Sequence, residues 1–157
     1  MMKAILSALV LGVLLLGQQP VLAAGSSDSD AVTESALFQK GRDAVKAKNF
    51  SEAAAIFAQV TADEPKNADA WNYLGFSNRK IKRFDDAEKF YLKALQLEPA
   101  HLGANEYIGE LYLETNRLAK AEERLAVLDR ACMFGCEEYD ELKASIAAFK
   151  KTGKSRY

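Results

Sequence analysis

The chain has 157 residues, with 21 Lys and Arg against 22 Asp and Glu, one His and a formal net charge of −1. That mixed balance gives no basic surface for nucleic acid and none for an anionic membrane. A single histidine and two cysteines leave little for a catalytic or metal centre.

The first 24 residues read "MMKAILSALVLGVLLLGQQPVLAA". Lys3 supplies a positive start, and Ala4 to Gly17 is an apolar run of 14 residues. Gln18, Gln19 and Pro20 end the run, and small residues follow. This is the layout of a secretory signal peptide, with cleavage expected after Ala23 or Ala24. The run falls short of the ~20 apolar residues that span a bilayer, so no membrane contact is expected after cleavage. Removing 24 of 157 residues leaves 133, enough for one domain with a core. The expected location is periplasmic or secreted, where neighbouring cysteines pair. Gly25 to Asp30, "GSSDSD", opens a flexible segment over 25–33.

From there a period of 34 residues organises the chain. Gly41, Gly75 and Gly109 share one phase. Ala53, Ala87 and Ala121 share another, as do Phe57, Tyr91 and Leu125. Leu37, Trp71 and Asn105 form a further series, and Pro65 and Pro99 recur in step. Each unit holds two amphipathic helical segments; Phe84, Ala87, Tyr91, Ala94 and Leu95 mark one apolar face. Short polar turns at "KNF", "KRF" and "TNR" force each pair to lie antiparallel. A glycine inside a helix costs ~0.5–1 kcal/mol against alanine. Three in one phase therefore point to close helix packing. "EPKN" and "EPAH" end the second helices of the first two units.

The middle unit, "AWNYLGFSNRKIKRFDDAEKFYLKALQLEP", resembles the tetratricopeptide repeat through Trp71, Leu74, Gly75, Ala87, Tyr91, Ala94 and Pro99. Asn78 stands where an aromatic is usual; Tyr112 restores it in the third unit, where Asn105 replaces the tryptophan. The first unit departs most, with Lys40 at a normally apolar position. The resemblance implies an all-α fold: an α-solenoid of antiparallel helix pairs in a right-handed superhelix, about seven helices in all. The repeats are placed at 34–67, 68–101 and 102–135, with a capping helix at 136–151 and a disordered tail at 152–157. In "EEYDELKASIAAFKK", Tyr139, Leu142, Ile146 and Phe149 form the cap's apolar stripe. Lys143, at the repeat-glycine phase, suits an end with nothing stacked beyond it.

The resemblance also implies a non-catalytic module that binds a partner peptide or helix in a concave groove. Carried onto this chain, the groove positions are Phe38, Arg42, Asn72, Phe76, Arg79, Glu106 and Glu110, with Val45 and Lys80 marginal. Phe38 and Phe76 are expected to be exposed there. Arg42 and Arg79 against Glu106 and Glu110 read as a change of sign along the groove. Such a groove would take a segment acidic at one end and basic at the other. No catalytic residues, metal ligands or cofactor are expected. His101, in a turn, reads as a turn or cap residue. A protein partner is expected, and a homo-oligomer through exposed edges is a further reading.

"CMFGC" brings Cys132 and Cys136 together. The spacing excludes C-x-x-C-H haem attachment and thioredoxin-type chemistry. A copper or thiol-redox role remains an alternative, with Met133 as a soft ligand. The repeat frame favours a disulfide: Met133 falls where Pro65 and Pro99 stand, so the two cysteines bracket a turn that has lost its proline. The bond is expected to lock the capping helix onto the third unit, worth ~2 kcal/mol for so short a loop.

Overall fold

The computed structural model describes residues 35–156; the signal-like segment and the whole 25–33 segment lie outside them. Among the described residues seven helices follow one another: α1 (Ala36–Lys46), α2 (Phe50–Asp63), α3 (Ala68–Lys80), α4 (Phe84–Leu97), α5 (Leu102–Glu114), α6 (Leu118–Ala131) and α7 (Glu137–Thr152). No strand occurs among the described residues.

The two kinds of helix start differently. The first helix of each pair begins at a side-chain cap. Ser35 accepts from Phe38 N at 3.3 Å, Asn67 from Ala70 N at 2.9 Å, and His101 Nδ1 from Ala104 N at 3.2 Å. His101 is thus the cap residue expected from its place in the turn. The second helices have no such cap. They follow a tight turn whose geometry is set by Lys48, Lys82 and Asn116, all left-handed, at φ of 61°, 64° and 59°. In each, the next amide reaches back to the first helix: Asn49 to Ala44, Arg83 to Asn78 and Arg117 to Tyr112. This satisfies carbonyls that a helix end would leave open.

Packing explains the repeat residues. A Cβ on Gly41 would lie 2.7 Å from the Phe57 ring, and one on Gly75 the same distance from Tyr91. Phe57 and Tyr91 are fully buried, so the rings of the second helices lie directly on the backbone of the first. Gly109 meets a different neighbour: Leu142 of α7, 2.6 Å from the same position. Trp71 and Asn105 differ in size yet do one job in common. Trp71 Nε1 donates to Pro65 O at 3.0 Å, and Asn105 Nδ2 donates to Pro99 O at 3.1 Å. Trp71 also packs against both apolar clusters, one built on α1, α2 and the start of α3, the other on α4 to α7.

Helices α1, α3, α5 and α7 touch in succession, whereas α2, α4 and α6 touch only their flanking partners. A close-set row beside a splayed row curves the array toward the close-set side. That side, formed by α1, α3, α5 and α7, is the concave one.

Cys132 is the C-cap of α6 and Cys136 the N-cap of α7. The two are joined by a disulfide, with Cα atoms 5.7 Å apart. The bridge therefore clips the end of the last repeat to the start of the final helix. Among the described residues, no group of three or more His, Cys, Asp or Glu side chains is placed to hold a metal ion.

Candidate binding surface on the inner helices

The inner row brings the expected groove residues onto neighbouring helices, but several are spent on the fold. Phe38, expected to be exposed, is 3% exposed and packs edge-on against Phe57 and Tyr73, at 5.3 and 5.6 Å between ring centres. The reason is the phase of α1: Phe38, Gly41 and Ala44 share the face that meets α2 and α3. Asn72 is likewise buried, its amide nitrogen against Gly103 at the start of α5.

Arg79 departs furthest from expectation. Its side chain is 1% exposed and lies between two carboxylates of α5, Glu110 at 2.8 Å and Glu114 at 2.8 Å. Lys82 adds a second cation to Glu114 at 3.0 Å. Ser145 of α7 donates to Glu110 at 3.5 Å. Burial alone would weaken the guanidinium's hold on its proton, but Tyr91, Glu110 and Glu114 more than offset this and raise its pKa. The sign change between Arg79 and Glu110 is thus an internal neutralisation and not a charge gradient offered to a partner. A buried pair of this kind gains little net stability, yet removing one member leaves a charge stranded.

What stays partly exposed on the inner side is the Phe76–Tyr107 pair, the cations Arg42 and Lys80, and the acids Glu138 and Glu141. Phe76 and Tyr107 lie with ring centres 4.9 Å apart, both half-buried. Lys80, marginal from sequence, has its ammonium 5.2 Å from the Phe76 ring centre. Arg42 is half-buried, and its charge helps hold Asp69 ionised after the larger effect of His101, whose Nε2 is 3.1 Å away.

Glu106 is a strongly perturbed acid. Burial pushes its carboxyl up, and Glu110, Glu138 and Glu141 push it further, against Arg79, to about 8. A carboxyl of this kind holds its proton near neutrality, and a cation brought beside it would release that proton. Glu138 and Glu141 of α7 are half-buried next to it. Sequence reasoning missed both, because they belong to the cap and not to a repeat. It also missed Glu114 and Tyr107.

Comparison with known proteins follows the geometry. Two family models, each described as tetratricopeptide repeat, match residues 38–101 and 82–146. "Tetratricopeptide repeat protein 37" of Xenopus laevis is 30% identical over 82 residues, which is 52% of this chain and 5% of that protein. The chain therefore spans only a small part of the length of that relative. Among solved structures, the type III secretion translocator chaperone SycD of Yersinia enterocolitica superposes with a TM-score of 0.68 at 15% identity, covering 74% of this chain and 83% of that one. The first repeat domain of Spaghetti (RPAP3), solved with the HSP90 peptide SRMEEVD, gives 0.65 at 19% identity, covering 74% and 91%. At such identities the likeness speaks for the fold. With the two family models together matching residues 38–146, this chain belongs to the tetratricopeptide repeat family.

Proposed function

We propose that this chain is an exported protein-interaction module that receives a segment of another protein on its inner face, without chemistry of its own. The observation that carries this reading is the Phe76–Tyr107 pair beside the acidic group of Glu106, Glu138 and Glu141. An aromatic platform next to the carboxylates of Glu138 and Glu141, with Glu106 able to release its proton to an incoming cation, suits a helix or extended segment with an apolar anchor followed by Lys or Arg. The solved relatives support the class of partner, since one is a translocator chaperone and another holds a peptide. Export rests on the N-terminal sequence, and N-terminal sequencing of the protein recovered outside the cytoplasm tests it.

The groove is tested with a displayed library of short helical peptides selected on the purified protein. Selected sequences should carry a cation near an apolar anchor. Their affinity should fall at least ~10-fold with Phe76→Ala and again with Glu138→Lys. Peptides that bind both variants as well as the parent would exclude the inner face. Phe76 and Glu138 are preferable to Arg79 for this purpose, because Arg79 substitutions act on the fold.

A further inference from the structure

At the far end of the array, the loop between α6 and α7 shows its apolar residues to solvent. Phe134 is 98% exposed and Met133 81%. The backbone explains why. Gly135 N donates to Cys132 O at 2.9 Å, closing a tight turn with Met133 and Phe134 at its two corners. Gly135 sits at φ 85°, where glycine is favoured. The Cys132–Cys136 bond then ties the two ends of the turn together.

Beside this knob lies a shallow pocket of about 440 Å³, lined by Pro99, Ala100, Arg124, Val127, Arg130 and Ala131. Its floor is mostly apolar and its rim carries two arginines. Ala131 and Phe134 are three residues apart, so knob and pocket lie within about 11 Å of each other along the chain. Immediately after the knob come Glu137 and Asp140, both exposed on α7.

We propose that two copies of this chain pair reciprocally through this end. Phe134 of each copy enters the pocket of the other, while Glu137 and Asp140 meet Arg124 and Arg130 across the contact. Because knob and pocket are adjacent on one surface, a single two-fold axis brings both contacts together. Charge complementarity favours a second copy: an acidic stretch follows the knob, and a basic rim surrounds the pocket. The same acidic stretch disfavours an anionic membrane. The disulfide serves the contact by holding the knob in its docking shape before the encounter, which lowers the ordering cost of binding.

Sedimentation velocity over a concentration series, on the protein purified in its oxidised form, tests the pairing. A monomer–dimer equilibrium is expected. Phe134→Ser should raise its dissociation constant at least ten-fold and leave the thermal melt unchanged at dilutions where the wild-type protein is monomeric, since Phe134 is 98% exposed in the monomer. Reduction of the disulfide should weaken it. Arg130→Glu alone, and Glu137→Arg with Asp140→Arg in another variant, should each give monomers, and an equimolar mixture of the two should pair again. The proposal is overturned by a wild-type protein that stays monomeric to about 1 mM. It is equally overturned by a dimer indifferent to Phe134→Ser, by a mixture that fails to pair, or by a monomer that co-sediments with phosphatidylglycerol vesicles through Phe134.

Discussion

Gly75 and Gly109 occupy one position in consecutive repeats, yet different side chains close over them. In the second repeat the partner is Tyr91, from the helix that follows in the same repeat. In the third it is Leu142, from α7 beyond the repeat. The first two repeats are self-closing units, each with an aromatic ring on its own glycine. The third has Leu125 at that phase and is closed from outside. The turn that follows differs too, with Pro65 and Pro99 at the earlier ones and the Cys132–Cys136 bond at the last. A repeat at the end of an array has no next repeat to cover it, and here α7 takes over that role.

The seam between the two regions offers the largest effect. Arg79→Ala should destabilise the protein by about 3–5 kcal/mol, because Glu110 and Glu114 would stay buried without their cation. Chemical denaturation measures this, and Arg79→Met should fare no better, since it leaves the same two carboxylates.

The glycines test the comparison directly. Gly75→Ala should cost about 2–3 kcal/mol, as its Cβ meets a fully buried tyrosine ring that cannot withdraw. Gly109→Ala should cost under about 1 kcal/mol, as the flexible end of Leu142 belongs to a terminal helix that can shift. Equal losses would show that α7 is as firmly placed as the repeats.

Opening the last turn comes next. Cys132→Ser with Cys136→Ser should lose about 2 kcal/mol in the loop-entropy account, with protection from hydrogen exchange falling in α7 before the other helices. A further effect is electrostatic and confined to the third repeat and cap. Glu106 keeps a proton in the folded state that the unfolded chain releases above its ordinary value of 4.5. Stability therefore falls as pH rises from about 4.5 to about 8 and then levels. Glu106→Gln should flatten that fall, a gain of roughly 1–2 kcal/mol at pH 9 visible in melts across the range.

The sequence made the fold legible because the 34-residue period binds helix length, turn and packing into one signal. Even Asn105, a departure from the tryptophan of the repeat, keeps the hydrogen bond to the preceding proline. The inner face was less legible. Phe38 looked like a groove residue from its place in the repeat, but that face of α1 meets α2 and α3, and its ring turns into the core with Phe57 and Tyr73. Arg79 and Glu110 were legible as opposite charges. That they satisfy one another depends on the distance between α3 and α5, which no single repeat encodes. Glu138 and Glu141 lie on a helix outside the repeat pattern, so no phase argument reaches them.

The buried guanidinium has a consequence for how the molecule comes apart. Repeat arrays are often imagined as beads that melt or are trimmed one at a time. Here the last bead cannot leave alone. Detaching α5 from α3 would break both of Arg79's ion pairs and open the apolar cluster that α4 shares with α5. The second and third repeats should therefore melt as one cooperative block, and a shortened chain ending after α4 should be a poor folder instead of a smaller copy of the same protein.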